Sequence, residues 1–417
     1  MRVFVMAPNI DGTDVGEAYV AFKWVEALSH RVDLTIASFE RPGREPLAQQ
    51  LPKAKIVSWP EPRIARVHER LNAMAKPAWP VFAARVRRFL RQEIQAGRRF
   101  ELAHQLMPQA ARYASPLRHF DIPYIIGPLG GALETPGAFR HEAGSAPLFT
   151  RLRALDAWRF RNDWALRSSY SGAAAVLGVA PYVKDILADV PLKRFEAILE
   201  LGIEELAPDV VRRPVEGQLR LLHVGRGVRT KGLRDAVRAL AKLKDHPEIT
   251  LTSAGAGEEI EICRRDAERL GVADRVTFLG RIPRADVEEL YRSHDVFCFP
   301  SFREPAGGVL YEAMRWGLPV ITAARGGPDW IVDGTCGMRI PVPTPETFAN
   351  DIAEAVLKLA QNIELRQSLG AGARVKVERE GLWPEKADNL VRLYQELIGP
   401  KKVCLGEQKV SSLTMRA

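Results

Sequence analysis

Between Leu219 and Val342, short apolar runs take turns with amphipathic stretches, and no other feature constrains the fold as tightly. LRLLHVG (219–225), ITLTSAG (249–255), RVTFLG (275–280), DVFCFPS (295–301), LPVIT (318–322) and CGMRIPV (336–342) have the length and apolar content of buried strands. Helical patterns lie between them. LRDAVRALAKL (233–243) repeats apolar residues at Leu233, Ala236, Val237, Leu240 and Leu243. EEIEICRRDAERLG (258–271) is closed by Gly271, and ADVEELYRSH (285–294) and GGVLYEAMRWG (307–317) follow. Parallel neighbours need such crossovers, so the alternation specifies an α/β chain with a parallel, doubly wound sheet.

The first half has the same grammar with longer insertions. Strands are expected at 2–8, 32–39, 101–106, 123–128 and 173–180, and a helix at 17–29. A basic helical stretch runs over 63–96, interrupted at Pro77 and Pro80. A chain of 417 residues exceeds one ordinary core. The expected organisation is two Rossmann-like domains, 1–205 and 206–380, facing each other across a cleft. A helix at 381–400 crosses back to the first domain, and 401–417 form a flexible tail.

No apolar run is long enough to span a bilayer; the best candidate, 171–183, is broken by Pro181. The opening residues read as a buried strand rather than a signal peptide, so a cytoplasmic location is expected. The four cysteines are far apart and the histidines form no HExxH cluster, so no metal site is expected. Charge is uneven. Within a net +9, residues 61–100 carry ten Lys/Arg against three Glu. That excess favours an anionic partner. Trp79, Phe82, Val86, Phe89 and Leu90 interleave with its arginines, as in a helix lying on an anionic membrane surface or steering a lipid-linked diphosphate. No nucleic-acid-binding motif accompanies the patch, so no nucleic-acid partner is expected.

Open parallel sheets bind ligands beyond the carboxyl ends of their strands. In LHVGRGVRTKGL (222–233), Arg226 and Lys231 flank the loop after such a strand, where two cations suit a diphosphate. In SFREPAGGVLYEAM (301–314), Glu304 precedes a glycine turn, Gly307-Gly308, and Glu312 follows one helical turn later. Carboxylates so placed can accept hydrogen bonds from vicinal hydroxyls, and the glycines let a ligand approach the backbone.

Residues 219–342 resemble the C-terminal half of a family 4 glycosyltransferase of the GT-B fold. The resemblance rests on VGRGVRTKG, AGAGEE (254–259), VTFLGRIPRADVEELY (276–291), and DVFCFPSFREPAGGVLYEAMRWGLPVITAARGGPDWIVDG (295–334), with E-x7-E at Glu304 and Glu312. It implies a retaining, metal-independent hexosyltransferase without cofactor, moving a hexose from a nucleoside diphosphate sugar, UDP- or GDP-linked, to a hydroxyl acceptor. Together with the basic 61–100 segment, cell-surface polysaccharide or glycolipid assembly is the expected setting, with the enzyme peripheral on the inner face of the cytoplasmic membrane and the acceptor lipid-linked; a soluble small acceptor is the rival. Arg226, Lys231 and Glu304 take the catalytic roles. Gly225, Arg226 and Lys231 match the diphosphate site. Glu304, Ala306, Gly307, Gly308 and Val309 match the sugar-binding turn, and Glu312 the ribose contact. Arg281 and Ile282 match the nucleobase segment, and Gly12 or Gly16 the first-domain loop that closes over the phosphates.

Two departures stand out. Pro305 and Ala306 replace a Gly-Phe pair found in many relatives. Gly127-Pro128-Leu129-Gly130-Gly131 stands where many carry a histidine. On the acceptor side that leaves His104, Gly127, Gly130 and Gly131 as candidates. The departures also motivate an alternative, a degenerate GT-B protein that binds nucleotide sugar or scaffolds an assembly complex. A nicotinamide oxidoreductase fits poorly, because the loop Ala7–Gly16 lacks G-x-G-x-x-G.

Overall fold

The computed structural model describes residues 1–63, 76–143, 153–209 and 218–399. The first sheet holds β1 (Arg2–Met6), β2 (Asp33–Glu40), β3 (Lys55–Pro60), β4 (Leu102–Gln105), β5 (Tyr124–Leu129), β6 (Ala175–Gly178) and β7 (Phe195–Ala197). Their spatial order is β3-β2-β1-β4-β5-β6-β7, and every pairing is parallel. The second sheet holds β8 (Leu219–Val224), β9 (Ile249–Ala254), β10 (Val276–Gly280), β11 (Val296–Phe299), β12 (Val320–Ala323) and β13 (Gly337–Ile340). Their order is β10-β9-β8-β11-β12-β13, again all parallel.

Central strands such as β4, β5, β6, β11 and β12 are buried throughout, because helices cover both faces. The sequence reading lacked β3 and β7. β3, KIVSWP, is an edge strand that stays partly exposed, and β7 has three residues, so neither shows a continuous apolar run.

The helix Trp79–Gln95 corrects the reading of the basic segment. Trp79, Phe82, Val86 and Leu90 are buried, and Phe89 packs partly buried against the same core. The helix turns its apolar face inward and leaves arginines outside, so those aromatics cannot enter a membrane. Arg66 and Arg70 of the segment lie outside the described residues, as do most of the linker 204–218 and the tail from 400.

The last helix, Trp383–Ile398, packs on the first sheet's helix Glu17–Ser29. Trp383 meets Trp24 edge-on at 5.4 Å, and Asp388 accepts from Arg31 at 2.5 Å. Ile203 pairs with Leu382, so both crossings of the chain between the halves lie side by side. No helix among the described residues is long and apolar enough to cross a membrane.

Candidate functional site

Strand order reverses between β1 and β4 in one sheet and between β8 and β11 in the other. A crevice opens at such switch points. Four loops therefore define where a ligand can sit: those after β1, β4, β8 and β11.

The loop after β8 is held by close backbone packing. A Cβ at Gly255, where φ is +140°, would lie 1.8 Å from the Gly225 carbonyl, so only glycine fits there. Gly225 donates to the Ala254 carbonyl at 3.0 Å. Arg226 is exposed, and no ion pair includes it among the described residues. The chain then forms a tight turn, Arg229–Lys231, tied on two sides. His223 Nε2 meets the Lys231 carbonyl at 3.1 Å, and Ser301 Oγ donates to the Thr230 carbonyl at 2.9 Å. The Lys231 side chain is directed at the Glu304 carboxylate, to which its ammonium donates, and stands 5.6 Å over the Phe299 ring. Two residues 73 positions apart, each expected at a donor site, are in contact.

The loop after β11 carries Glu304. Its carbonyl accepts from the Gly327 amide at 3.0 Å, and Ala306 is buried against Gly327. Gly307, with φ of +96°, precedes the short helix Gly308–Met314. The glycines here do more than admit a ligand. The space that a Cβ at Gly308 would fill is taken by Leu201 of the first half, 2.3 Å away. Val309 is half-buried. Glu312 is partly buried and accepts from the Tyr291 hydroxyl at 3.3 Å, and burial raises its carboxyl above the ordinary range. Arg281 is exposed and Ile282 half-buried, directly after β10.

The first half supplies the facing wall. After β1, the Gly12 amide donates to Gln50 Oε1 at 2.8 Å, and a Cβ there would meet the Phe22 ring. Gly16, with φ of +66°, opens the helix Glu17–Ser29. His104 is corrected. It is fully buried inside β4, where Nε2 donates to the Gly127 carbonyl and Nδ1 accepts from the Tyr394 hydroxyl, each at 2.6 Å. Burial lowers its pKa to about 4, so it is a neutral core residue that does not reach the crevice. Gly127 is corrected with it. It lies within β5, and a Cβ there would strike the Leu177 carbonyl at 2.2 Å. Its role is strand packing. Gly130 and Gly131 directly follow β5, Gly131 with φ of +85°, and the Gly131 carbonyl accepts from the Tyr182 hydroxyl at 3.0 Å.

One group absent from the sequence reading stands at the centre. Glu200 is partly buried after β7, its carboxylate accepting from Gln109 Nε2 and its carbonyl from Trp24 Nε1 at 2.9 Å. Burial pushes its carboxyl up to about 7, and the charges of Glu17 and Glu304 add to the effect. Lys386 and the Gln109 bond oppose it. Glu17 is itself paired with Lys76 at 2.7 Å. Tyr182 also feels both Glu200 and Glu304, and burial raises its hydroxyl well above the ordinary value. The signal was present in the sequence: a lone carboxylate among Ile198, Leu199 and Leu201.

Glu200 gives stability a defined pH dependence. Between its ordinary value of 4.5 and about 7, the folded chain holds a proton that the unfolded chain has lost. Stability therefore falls as pH rises through that window. Lys386 runs the other way. Burial lowers it from 10.5 to about 7, so it adds stability as pH rises above 7. Replacing Glu200 with glutamine should remove a loss of about 2–3 kcal/mol between pH 4.5 and 7, read as a flatter dependence of melting temperature on pH. An unchanged slope in that variant would refute the placement of this proton.

Among the described residues no cluster of three or more His, Cys, Asp or Glu is arranged to hold a metal ion. Comparison with known proteins adds the following. Residues 210–376 match the family model described as "Glycosyl transferases group 1". D-inositol 3-phosphate glycosyltransferase of Corynebacterium jeikeium (strain K411) is 34% identical over 183 residues, covering 42% of this chain and 42% of that protein. The chain spans about half the length of the curated relatives it matches. Among solved structures, sucrose-phosphate synthase from Thermosynechococcus elongatus superposes with a TM-score of 0.62 at 21% identity, covering 95% of this chain and 98% of that one. HepE of Anabaena, in complex with UDP, superposes with a TM-score of 0.61 at 16% identity, covering 94% and 99%. The fold is thus GT-B, two parallel-sheet α/β domains.

Proposed function

We propose that this chain, whose residues 210–376 match the glycosyl transferases group 1 model, transfers a hexose from a nucleoside diphosphate sugar to a hydroxyl acceptor with retention and without a metal ion. One observation carries the reading. Lys231 and Glu304 are in contact at the switch point of the second sheet, within electrostatic reach of Glu200 and Tyr182 from the first half.

The bound diphosphate lies across Arg226 and Lys231. The bond from the anomeric carbon to the diphosphate breaks, and its electron pair stays on the phosphate oxygen. The two cations stabilise the charge that develops there. The acceptor oxygen forms the new bond to the same carbon, and its proton leaves with the diphosphate. Glu304, released from Lys231 by the incoming phosphates, accepts hydrogen bonds from the hexose. Glu312 does the same for the ribose. Incubation with UDP-, GDP-, ADP- and dTDP-linked hexoses tests this: one of them should release its nucleoside diphosphate slowly even without acceptor. Tight nucleotide binding with no release from any donor would instead favour a binding or scaffolding protein.

A lipid-linked acceptor is part of the proposal, and its support lies in a surface other than the one the sequence suggested. Leu155, Trp158 and Trp164 are 53%, 60% and 71% exposed. Leu155 and Trp158 share a face of the helix Arg153–Asn162, and Trp164 opens the helix Trp164–Gly172. Arg118 stands 5.4 Å over Trp164, and Arg87 is within electrostatic reach of Arg118. Exposed indoles rimmed by arginines suit an anionic bilayer surface. Replacing both Trp158 and Trp164 with alanine should lower partition onto phosphatidylglycerol-containing vesicles about tenfold in a sedimentation assay. Equal partition of variant and wild type would remove this surface from the account.

A further inference from the structure

Residues 133–142 follow Gly130-Gly131 at the end of β5 and run across the second half. Phe139 is fully buried there, inside the second sheet's core, with its ring 4.5 Å from Phe302 and 5.9 Å from Phe348. Three residues on, Glu142 accepts from Arg229 Nε at 2.8 Å and Nη2 at 2.6 Å, and from Arg238 Nη2 at 2.9 Å. The Arg229 guanidinium is enclosed on all sides. Phe139 and Phe302 lie on it at 5.4 and 5.0 Å, and Asp235 accepts from Nη1 at 2.6 Å. Earlier in the arm, Arg303 donates to Thr135 Oγ1 at 3.4 Å and Arg325 to the Glu134 carbonyl at 2.7 Å.

Arg229 is the first residue of the turn that ends in Lys231, and Arg303 is the neighbour of Glu304. The arm therefore grips both loops of the donor site from behind. The charges explain why it must be acidic at Glu142. Arg229, Arg234 and Arg238 converge on Asp235, Glu259 and Glu142, three cations against three carboxylates. Without Glu142 the enclosed cluster carries an excess positive charge, and Arg229, still forked onto Asp235 at 2.6 and 2.8 Å, loses the carboxylate that ties its turn to the first domain. Its turn would then be free to shift, taking Lys231 with it.

We propose that Phe139 and Glu142 are positioning residues for the diphosphate site: the first domain, through this arm, sets where Lys231 stands in the second. The proposal rests on the nucleotide-sugar reading above and adds a dependence of diphosphate affinity on a segment that touches no ligand.

The test separates the two. Affinities for UDP and uridine, and for GDP and guanosine, are measured calorimetrically on wild type, Glu142→Gln, Phe139→Ala and Phe139→Leu. Wild type should prefer the diphosphate strongly over its nucleoside. Glu142→Gln and Phe139→Ala should lose roughly five- to tenfold of that preference while nucleoside affinity holds, and Phe139→Leu should restore most of it. A merely structural role would lower the melting temperature and leave the ratio unchanged, and that result overturns the proposal alone. Should Phe139→Ala fail to fold, Glu142→Gln, nearly isosteric, decides the question. Failure of wild type to bind UDP, GDP, ADP or dTDP overturns the donor-site reading and this proposal with it.

Discussion

Replacing Lys231 with alanine should weaken binding of the preferred nucleoside diphosphate by about 10- to 100-fold, because a charge-assisted contact to phosphate in a partly enclosed site is lost. Fold stability should change little. Lys231 is partly buried, but its turn is held by His223 at its own carbonyl and by Ser301 at the Thr230 carbonyl, independently of the ammonium, and Glu304, to which the ammonium donates, can turn to water. Calorimetric titration read against the melting temperature separates the two effects. A variant that keeps wild-type affinity would show that the phosphates lie elsewhere.

The partner of that pair should behave oppositely. Glu304→Gln removes the carboxylate that occupies Lys231 in the free protein, so affinity for the bare diphosphate should hold or rise a few-fold. Sugar transfer should nevertheless fall by about 10²-fold or more, since the carboxylate's contact to the hexose is lost where charge develops. The split is the point of the experiment. Loss of nucleotide affinity in parallel with loss of turnover would mean that Glu304 only holds the loop together.

The second half was more legible than the first, and the reason is physical. Its inner strands β8, β11 and β12 are largely buried, and β8 and β9 run into Gly225 and Gly255, the latter demanded by the Gly225 carbonyl 1.8 Å from where its Cβ would lie. Local sequence therefore carries the fold. In the first half, β3 and β7 lie at the sheet's edges, with half-exposed side chains that blur the pattern. Site residues divide the same way. Arg226, Lys231 and Glu304 follow strands recognisable from the chain alone. His104 was misplaced because a buried histidine satisfied by Tyr394, 290 residues away, looks in sequence like one at a strand end. Glu200 needed the opposite lesson: its meaning comes from Gln109, Glu17 and Glu304, which only the tertiary structure brings near. The basic segment misled because alternating arginines and aromatics fit a surface helix facing either a membrane or the protein's own core, and here the core took the aromatics.

The most direct measurement of the central claim is a thermal-shift panel of UDP, GDP, ADP and dTDP on the wild type, Arg226→Ala and Lys231→Ala. Binding to the folded state raises the melting temperature by mass action. The account predicts a clear shift with one nucleoside diphosphate, reduced in both variants. No shift with any of the four at millimolar concentration, or a shift equally large in Lys231→Ala, would contradict it.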